Sequence, residues 1–430
     1  MHTLFKRIVV AVLTWEAKRA LKKYRPRIVA ITGSVGKTGT KDAVFTALAH
    51  KQYVRKSQKS FNSELGVPLT ILGLGTAWRD PIGWIENMLE GLSVAFVKGP
   101  YPEWLVLEVG ADRPGDIKNL AWLRPHISVF TQFPDVPVHV EFFDGPEQVI
   151  AEKRELKHML RPEGTLIVNA DDAKMREEAV TEGQHLLSYG FAEHATVRIL
   201  NAYVEYDGGG QPTGMAATVR FQDEEQTLHA QGVLGNHQFY PLVAALAVAL
   251  SEGARFGDAV AALSEHAFPP GRMCLLPGKY DATLVDDSYN SSPAATLAGL
   301  DAFDSLQCEG KKIAVLGDML ELGEYSTQAH RDVGARVAQV ADVFVGVGVR
   351  MRGAVEVAKA AGNPRVHYVA SFKHVREAIP FLHDKLRSGD VLYIKGSQSM
   401  RMERLTEELL RDPSSAAAVL VRQDKEWKDR

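Results

Sequence analysis

Cysteine is almost missing from this 430-residue chain, with Cys274 and Cys308 the whole complement. Two thiols cannot build a disulfide framework or a four-cysteine zinc site, and their scarcity favours a cytoplasmic setting. Long apolar runs are missing too. No stretch approaches the ~18 apolar residues of a membrane span. The short apolar segment from Ile8 to Trp15 runs straight into Glu16-Ala17-Lys18-Arg19, which offers no cleavage site of a secretory leader. Internal repeats and low-complexity tracts are absent, which excludes solenoids and arrays. A large net charge is also lacking, at −3. No recognisable nucleic-acid module is present, so nucleic acid is not an expected partner.

What charge there is lies unevenly. Residues 1–27 hold eight basic side chains against Glu16, a net +7, which leaves 42 basic and 52 acidic residues, a net −10, for the remainder. Within that basic segment the spacing predicts an amphipathic helix over 3–24, with Leu4, Phe5, Ile8, Val9, Val12 and Leu13 on its apolar side. The plainer reading packs this helix on the protein's own core. The alternative is peripheral membrane contact, with the basic side chains drawn to anionic lipid.

After Pro26 short apolar strands alternate with helices: strands over 27–31, 104–109, 127–131 and 165–169, helices over 37–50 and 147–160. That alternation implies an α/β fold with a mostly parallel sheet covered on both faces. Segments 197–206 and 215–221 flank Asp207-Gly208-Gly209-Gly210 and predict a small antiparallel subsheet. At Phe268-Pro269-Pro270-Gly271 the helical pattern breaks, and beyond it the alternation restarts as a smaller Rossmann-like α/β unit. The expected organisation is a basic helix (1–26), a nucleotide-binding central domain (27–267), a C-terminal α/β domain (268–413) and a loosely held tail (414–430).

The chemistry is carried first by Thr32-Gly33-Ser34-Val35-Gly36-Lys37-Thr38, set between a strand and a helix. Such a turn aims backbone N–H groups and a helix dipole at one point, which suits phosphate. Lys37 can reach the outer phosphates, and the Thr38 hydroxyl can ligate Mg²⁺. Ile31 stands where the first glycine of the longer phosphate-loop motif belongs, so the match is to the shorter Gly-x-x-Gly-Lys-Thr. Glu108, ending an apolar strand, is placed to join Thr38 around an ion that prefers hard oxygen.

These residues resemble the phosphate loop of the Mur ligase superfamily, and further segments follow in order. Phe61-Asn62-Ser63-Glu64-Leu65-Gly66-Val67-Pro68 is similar to the substrate-side loop of the MurF type. Leu107-Glu108-Val109-Gly110-Ala111-Asp112, Pro270-Gly271-Arg272-Met273, Asp286-Asp287-Ser288-Tyr289-Asn290-Ser291-Ser292-Pro293 and Leu316-Gly317-Asp318-Met319 continue the series, and Lys395-Gly396-Ser397 completes it. The resemblance implies an ATP-dependent amide ligase of peptidoglycan precursor synthesis that works through an acyl phosphate. Its substrates would be a muramoyl-peptide carboxylate and an amine such as D-alanyl-D-alanine.

It further implies roles residue by residue. Asn62, Ser63 and Glu64 would face the substrate. Thr38, Glu108, His139 and Lys153 would serve two Mg²⁺ ions, with Lys153 carbamylated by CO₂; Lys157 is a nearby competitor for that modification. His237 would lie near the adenine, Asp286 on the ribose, and Tyr289 and Asn290 beside the nucleotide. Arg272 would be the cation that the second domain brings to the phosphates, with an interdomain ion pair as its plainer role. His330 and Lys395 match family positions without an assigned role. Full-length members also carry an N-terminal domain for the UDP-sugar, whereas about 26 residues precede the first strand here, so a shifted or lipid-linked donor is one expectation. Two other functions use the same loop: a phosphotransferase or nucleotide hydrolase, and a non-catalytic nucleotide-binding partner in cell-wall assembly.

Overall fold

The computed structural model describes residues 3–428 apart from 59–60, 79, 136–139, 176–177, 179 and 364–365, so His139 lies outside the described residues. The first strand, Arg27–Thr32 (β1), is buried at every position after Arg27. A parallel strand covered on both faces needs apolar side chains throughout rather than in alternation. Eight more strands complete the sheet: Val54–Lys56 (β2), Trp104–Glu108 (β3), Ile127–Phe130 (β4), Thr165–Asn169 (β5), His185–Gly190 (β6), Val197–Tyr206 (β7), Pro212–Phe221 (β8) and Glu224–Gln231 (β9). Their order is β2-β3-β1-β4-β5-β6-β7-β8-β9. The antiparallel part is not a separate sheet, because β7 pairs in parallel with β6 through Tyr189 and Gly190 and so continues it.

Because successive strand residues point to opposite faces, β1 feeds two cores. Val29 and Ile31 enter one with residues of Lys37–Ala49, while Ile28 and Ala30 enter the other with residues of the N-terminal helix Thr3–Tyr24. We label the helices of the central sheet Thr3–Tyr24 (α1), Lys37–Ala49 (α2), Gly66–Leu72 (α3), Pro81–Phe96 (α4), Pro146–His158 (α5) and Phe239–Ser251 (α6). α6 is apolar all round and buried from Pro241 to Ala249, as a helix inside a large core must be.

On α1, Val9, Leu13, Ala17 and Ala20 turn inward at helical spacing and are fully buried. The expected apolar side is thereby rotated: Ile8 stands outside, half exposed, while Val9 and Leu13 pack. Glu16 shares the inner face. It lies against Gly91 of α4, where a Cβ would come within 2.0 Å of its Oε2. Neither of its carboxylate oxygens has a hydrogen-bond partner among the described residues. Burial pushes the Glu16 carboxyl up to about 7 from 4.5. The folded chain therefore keeps a proton that the unfolded chain has released, so this group's contribution to stability falls as pH rises from about 4.5 to about 7. Glu16→Gln removes the ionisation; the expected result is a gain of about 1–2 kcal/mol at pH ~8 and little change at pH ~5. Thermal unfolding at the two pH values checks it, and an equal shift at both would contradict the assignment.

The second sheet comprises Cys274–Pro277 (β10), Thr283–Asp287 (β11), Lys312–Gly317 (β12), Val343–Val347 (β13), Tyr368–Phe372 (β14) and Val391–Lys395 (β15). Its order is β10-β11-β15-β12-β13-β14, parallel except for the β10 edge. The segment after 413, expected to hang loose, is packed instead. Leu420 is buried, and the Arg422 guanidinium donates to the Ser288 carbonyl at 3.2 Å, to the Tyr289 carbonyl, and to Glu403 at 3.0 Å. Arg422 and the buried Ala416 and Leu420 together hold this partly polar stretch against the second sheet's domain.

Candidate active site

The phosphate loop owes its shape to two close approaches. Gly33 has φ of +140°, and a Cβ there would lie 2.0 Å from the Thr131 hydroxyl at the end of β4, so no side chain fits. Gly36, at φ of +87°, turns the chain into α2. The loop is also pinned across to the β4 exit, with the Ser34 N–H donating to the Gln132 carbonyl at 2.9 Å.

Three functional groups meet where this loop faces the end of β3. The Thr38 hydroxyl donates to Glu108 Oε2 at 3.1 Å, and the Asn62 amide donates to Oε1 at 3.3 Å. Asn62 comes this close because Gly110 carries no side chain: a Cβ there would sit 2.8 Å from the Asn62 amide nitrogen. Lys37 Nζ donates to the Gly33 carbonyl at 3.0 Å, closing its own loop. Burial lowers the Lys37 pKa, opposed by the nearby Glu108 charge.

Lys153 of α5 reaches the same loop from below. Its Nζ donates to the Ser34 hydroxyl at 2.9 Å, and the residue is only 2% exposed. Burial, followed by the like charge of Lys37, holds its pKa well below the usual lysine range, against the pull of Asp112. Lys157, one turn on, points elsewhere and pairs with Glu178 at 2.6 Å. Helical spacing alone could not separate these two lysines; the structure does.

A cleft of about 730 Å³ joins the two sheets over this cluster. From the central side it is lined by Ser34 to Thr38, Asn62, Glu108 and Asp112. From the second sheet come Arg272, Tyr289, Asn290 and Lys395. The Arg272 guanidinium lies 4.1 Å from the centroid of the Tyr289 ring. Among the described residues no carboxylate pairs with Arg272, so the interdomain ion pair is not formed. Lys395 Nζ donates to Asp287 Oδ2 at 2.5 Å and to the Asn290 carbonyl at 3.0 Å, which shapes the loop after β11.

Not every expected residue comes to this cleft. Asp286 is turned away: it is fully buried, accepts from the Thr406 hydroxyl at 3.0 Å, and burial pushes its carboxyl up to about 6. Strand alternation gives the side toward Lys395 to Asp287 instead. Ser63 accepts from the Gly66 N–H at the start of α3, and Glu64 pairs with Lys6 of α1 at 3.1 Å, so of the substrate-side trio only Asn62 lines the cleft. His237 lines a neighbouring cavity of about 630 Å³ with Tyr203, Asn236 and Tyr240. Burial brings its imidazole down to about 4, so it is neutral. His330 accepts from the Met319 N–H at 3.1 Å, a structural role. Asp112 lies in a segment already singled out but without an assigned role, whereas Ala295, Gln398, Ser399 and Trp427 line the cleft from outside every such segment, the last supplied by the C-terminal segment.

The donor chemistry of the cleft fits a hard cation. Thr38 and Glu108 offer hydroxyl and carboxylate oxygen side by side, with Asp112 on the same wall. Among the described residues no group of three His, Cys, Asp or Glu side chains could hold a metal ion, and Mg²⁺ commonly completes its shell with water and phosphate oxygens.

The fold and the cleft between its two sheets place the chain among the ATP-dependent ligases. A model of the Mur ligase middle domain matches residues 91–249, and one of the Mur ligase glutamate ligase domain matches residues 271–398. The UDP-N-acetylmuramoyl-tripeptide–D-alanyl-D-alanine ligase of Mycobacterium tuberculosis is 30% identical over 406 residues, covering 90% of this chain and 73% of that protein. Its counterpart from Bacillus subtilis is 27% identical over 402 residues, covering 93% and 79%. The crystal structure of MurF ligase from Thermotoga maritima in complex with ADP superposes with a TM-score of 0.73, at 26% identity, covering 93% of this chain and 83% of that one. The chain belongs to the Mur ligase family.

Proposed function

We propose that the protein joins an amine, D-alanyl-D-alanine or a close relative, to the carboxylate of a muramoyl peptide in peptidoglycan precursor synthesis. The observation that carries this reading is the convergence of Lys37, the Thr38–Glu108 pair and Asn62 on one cleft that Arg272 enters from the second sheet, with Lys153 held beneath the loop on the Ser34 hydroxyl. The relatives named above act on these substrates, which supports the choice.

In this reading the triphosphate lies along the loop N–H groups and the α2 N-terminus. Lys37 leaves the Gly33 carbonyl for the outer phosphates, and the neutral face of His237 borders the base. The peptide carboxylate attacks the γ-phosphorus and ADP departs, giving an acyl phosphate. The amine then attacks that carbonyl, and phosphate leaves from the tetrahedral adduct with loss of a proton. Negative charge gathers between the γ-phosphoryl group and the carboxylate, where Lys37 and Arg272 stabilise it. Mg²⁺ would be held by Thr38 and Glu108, and a second ion by His139 and a carbamylated Lys153; both would neutralise phosphate charge. Closing the two sheets on the cleft keeps water from the acyl phosphate. The proposed compartment is the cytoplasm.

The test is phosphate release with ATP, UDP-N-acetylmuramoyl-tripeptide and D-alanyl-D-alanine, read together with product mass. A ligase releases phosphate only when donor and amine are both present and yields the pentapeptide mass. Release without the amine would make the protein a hydrolase.

A further inference from the structure

α4 carries an apolar stripe that stands exposed among the described residues. Ile82, Ile85, Leu89, Leu92 and Phe96 recur at alternating steps of three and four, which places them on one side of the helix. All five are exposed, Ile82 at 68% and Leu89 at 62%. The opposite side of the same helix, Trp84, Gly91 and Ala95, is buried against the body. A stripe of this size on a soluble surface marks a contact face.

α1 extends it. Trp15, half exposed, meets Phe96 with ring centroids 5.8 Å apart, and Arg19 lies over the Phe96 ring at 5.1 Å. Lys23 Nζ donates to the carbonyls of Val94 and Val97 and fixes the two helices together at this end. Ile8 and Trp15 are thus in register with an outer ridge that passes into Arg19 and Lys22. Beside the ridge, Lys18, Lys22, Arg25, Arg124 and Arg161 line a single cavity of about 540 Å³ whose walls include no carboxylate. Burial and the neighbouring Arg124 and Arg27 lower the Arg161 pKa, the signature of crowded like charge.

We propose that the α1–α4 face docks on the surface of a bilayer rich in anionic lipid. The apolar stripe and Trp15 would enter the headgroup boundary, and the basic ridge and cavity would meet lipid phosphates. A second copy of the chain is a poorer occupant, since pairing this face with itself brings cation-lined walls toward each other, while the exposed acidic residues of α4, Glu86 and Glu90 with Asp80 at its start, lie off the basic ridge. No helix among the described residues is long and apolar enough to cross a membrane, so the contact is superficial. The face has a consequence for the active site. Lys6, on the other side of α1, pairs with Glu64 in the loop that carries Asn62, so the helix that would dock also contacts the substrate-side loop. The inference stands apart from the ligase reading, because binding to lipid is measured without turnover.

The experiment is flotation of the full chain with vesicles of phosphatidylglycerol mixed into phosphatidylcholine, and with phosphatidylcholine alone. The chain is expected to float with the anionic vesicles, less in high salt, and to remain behind with the neutral ones. Ile85→Glu with Leu89→Glu, and separately Arg19→Glu with Lys22→Glu, should each lower the bound fraction about tenfold or more. Both pairs are surface changes, so unfolding temperature and turnover on soluble substrates should stay at the parent's values. Absence of flotation, or variants that float as well as the parent, overturns the proposal. So does a dimer in sedimentation that Leu89→Glu splits, which would make this face a subunit interface.

Discussion

Lys37→Ala is expected to lower ligation by about a thousandfold or more while leaving the fold intact. The side chain reaches into the cleft and, among the described residues, bonds the Gly33 carbonyl of its own loop; Glu108 is its nearby counter-charge, and after the change Glu108 still accepts from the Thr38 hydroxyl and the Asn62 amide. In the proposed reaction it would be a cation facing the phosphates along the α2 N-terminus, where charge would develop as the γ-phosphoryl group transfers. A loss confined to kcat, with unfolding temperature and nucleotide affinity changed much less, is the pattern of an interaction made mainly in the transition state. Phosphate release and product mass under saturating substrates measure it. A Lys37→Ala enzyme with near-normal turnover would remove the assignment of the whole loop, because Thr38 and Glu108 are placed by the same turn. Lys37→Arg should not rescue fully, since a planar guanidinium does not put its charge where the compact ammonium does.

How far the sequence revealed this site depends on how local each feature is. The phosphate loop and Glu108 are legible because a strand end, two glycines and a helix start lie within a few residues, and their geometry follows from short-range sterics. Asp286 shows where that reading stops. Two adjacent aspartates end β11, and the pattern of two cannot say which faces the cleft until the partners Thr406 and Lys395 are known; both lie more than one hundred residues away. Ser63 and Glu64 looked alike in the loop, yet one accepts from the Gly66 N–H and the other answers Lys6. The β6–β7 junction, which joins the antiparallel strands of the Gly-rich hairpin to the parallel part of the sheet, rests on just two residue pairs. The C-terminal segment was hidden most thoroughly. Arg422 and Trp427 sit in polar sequence, and only the fold brings the first onto the carbonyls after β11 and the second to the cleft wall.

Lys153→Ala is the second change with a large expected effect, about a hundredfold or more in turnover, whereas Lys157→Ala should stay within about twofold. The contrast comes from their surroundings. Lys157 has its counter-charge in Glu178 and faces partly outward. Lys153 is enclosed beneath the phosphate loop, and burial with Lys37 nearby disfavours its ammonium form. A lysine in that state is neutral more often at cellular pH, and the neutral amine is the form that adds CO₂, losing a proton to give an anionic carbamate. The carbamate would stand beside Ser34, within the same cluster as Glu108, and would change a buried cation into an oxygen donor for a metal ion. Three results follow if this is correct. Enzyme depleted of CO₂ loses activity that bicarbonate restores. Labelled CO₂ gives a carbamate carbon signal in the parent and none in Lys153→Ala. Acetate or formate partly restores the Lys153→Ala enzyme but not Lys37→Ala, because only the former lacks an anion rather than a cation. If Lys153→Ala loses activity but the bicarbonate, label and carboxylate experiments are all negative, the residue acts as an amine that positions the loop through Ser34, and the carbamate is excluded.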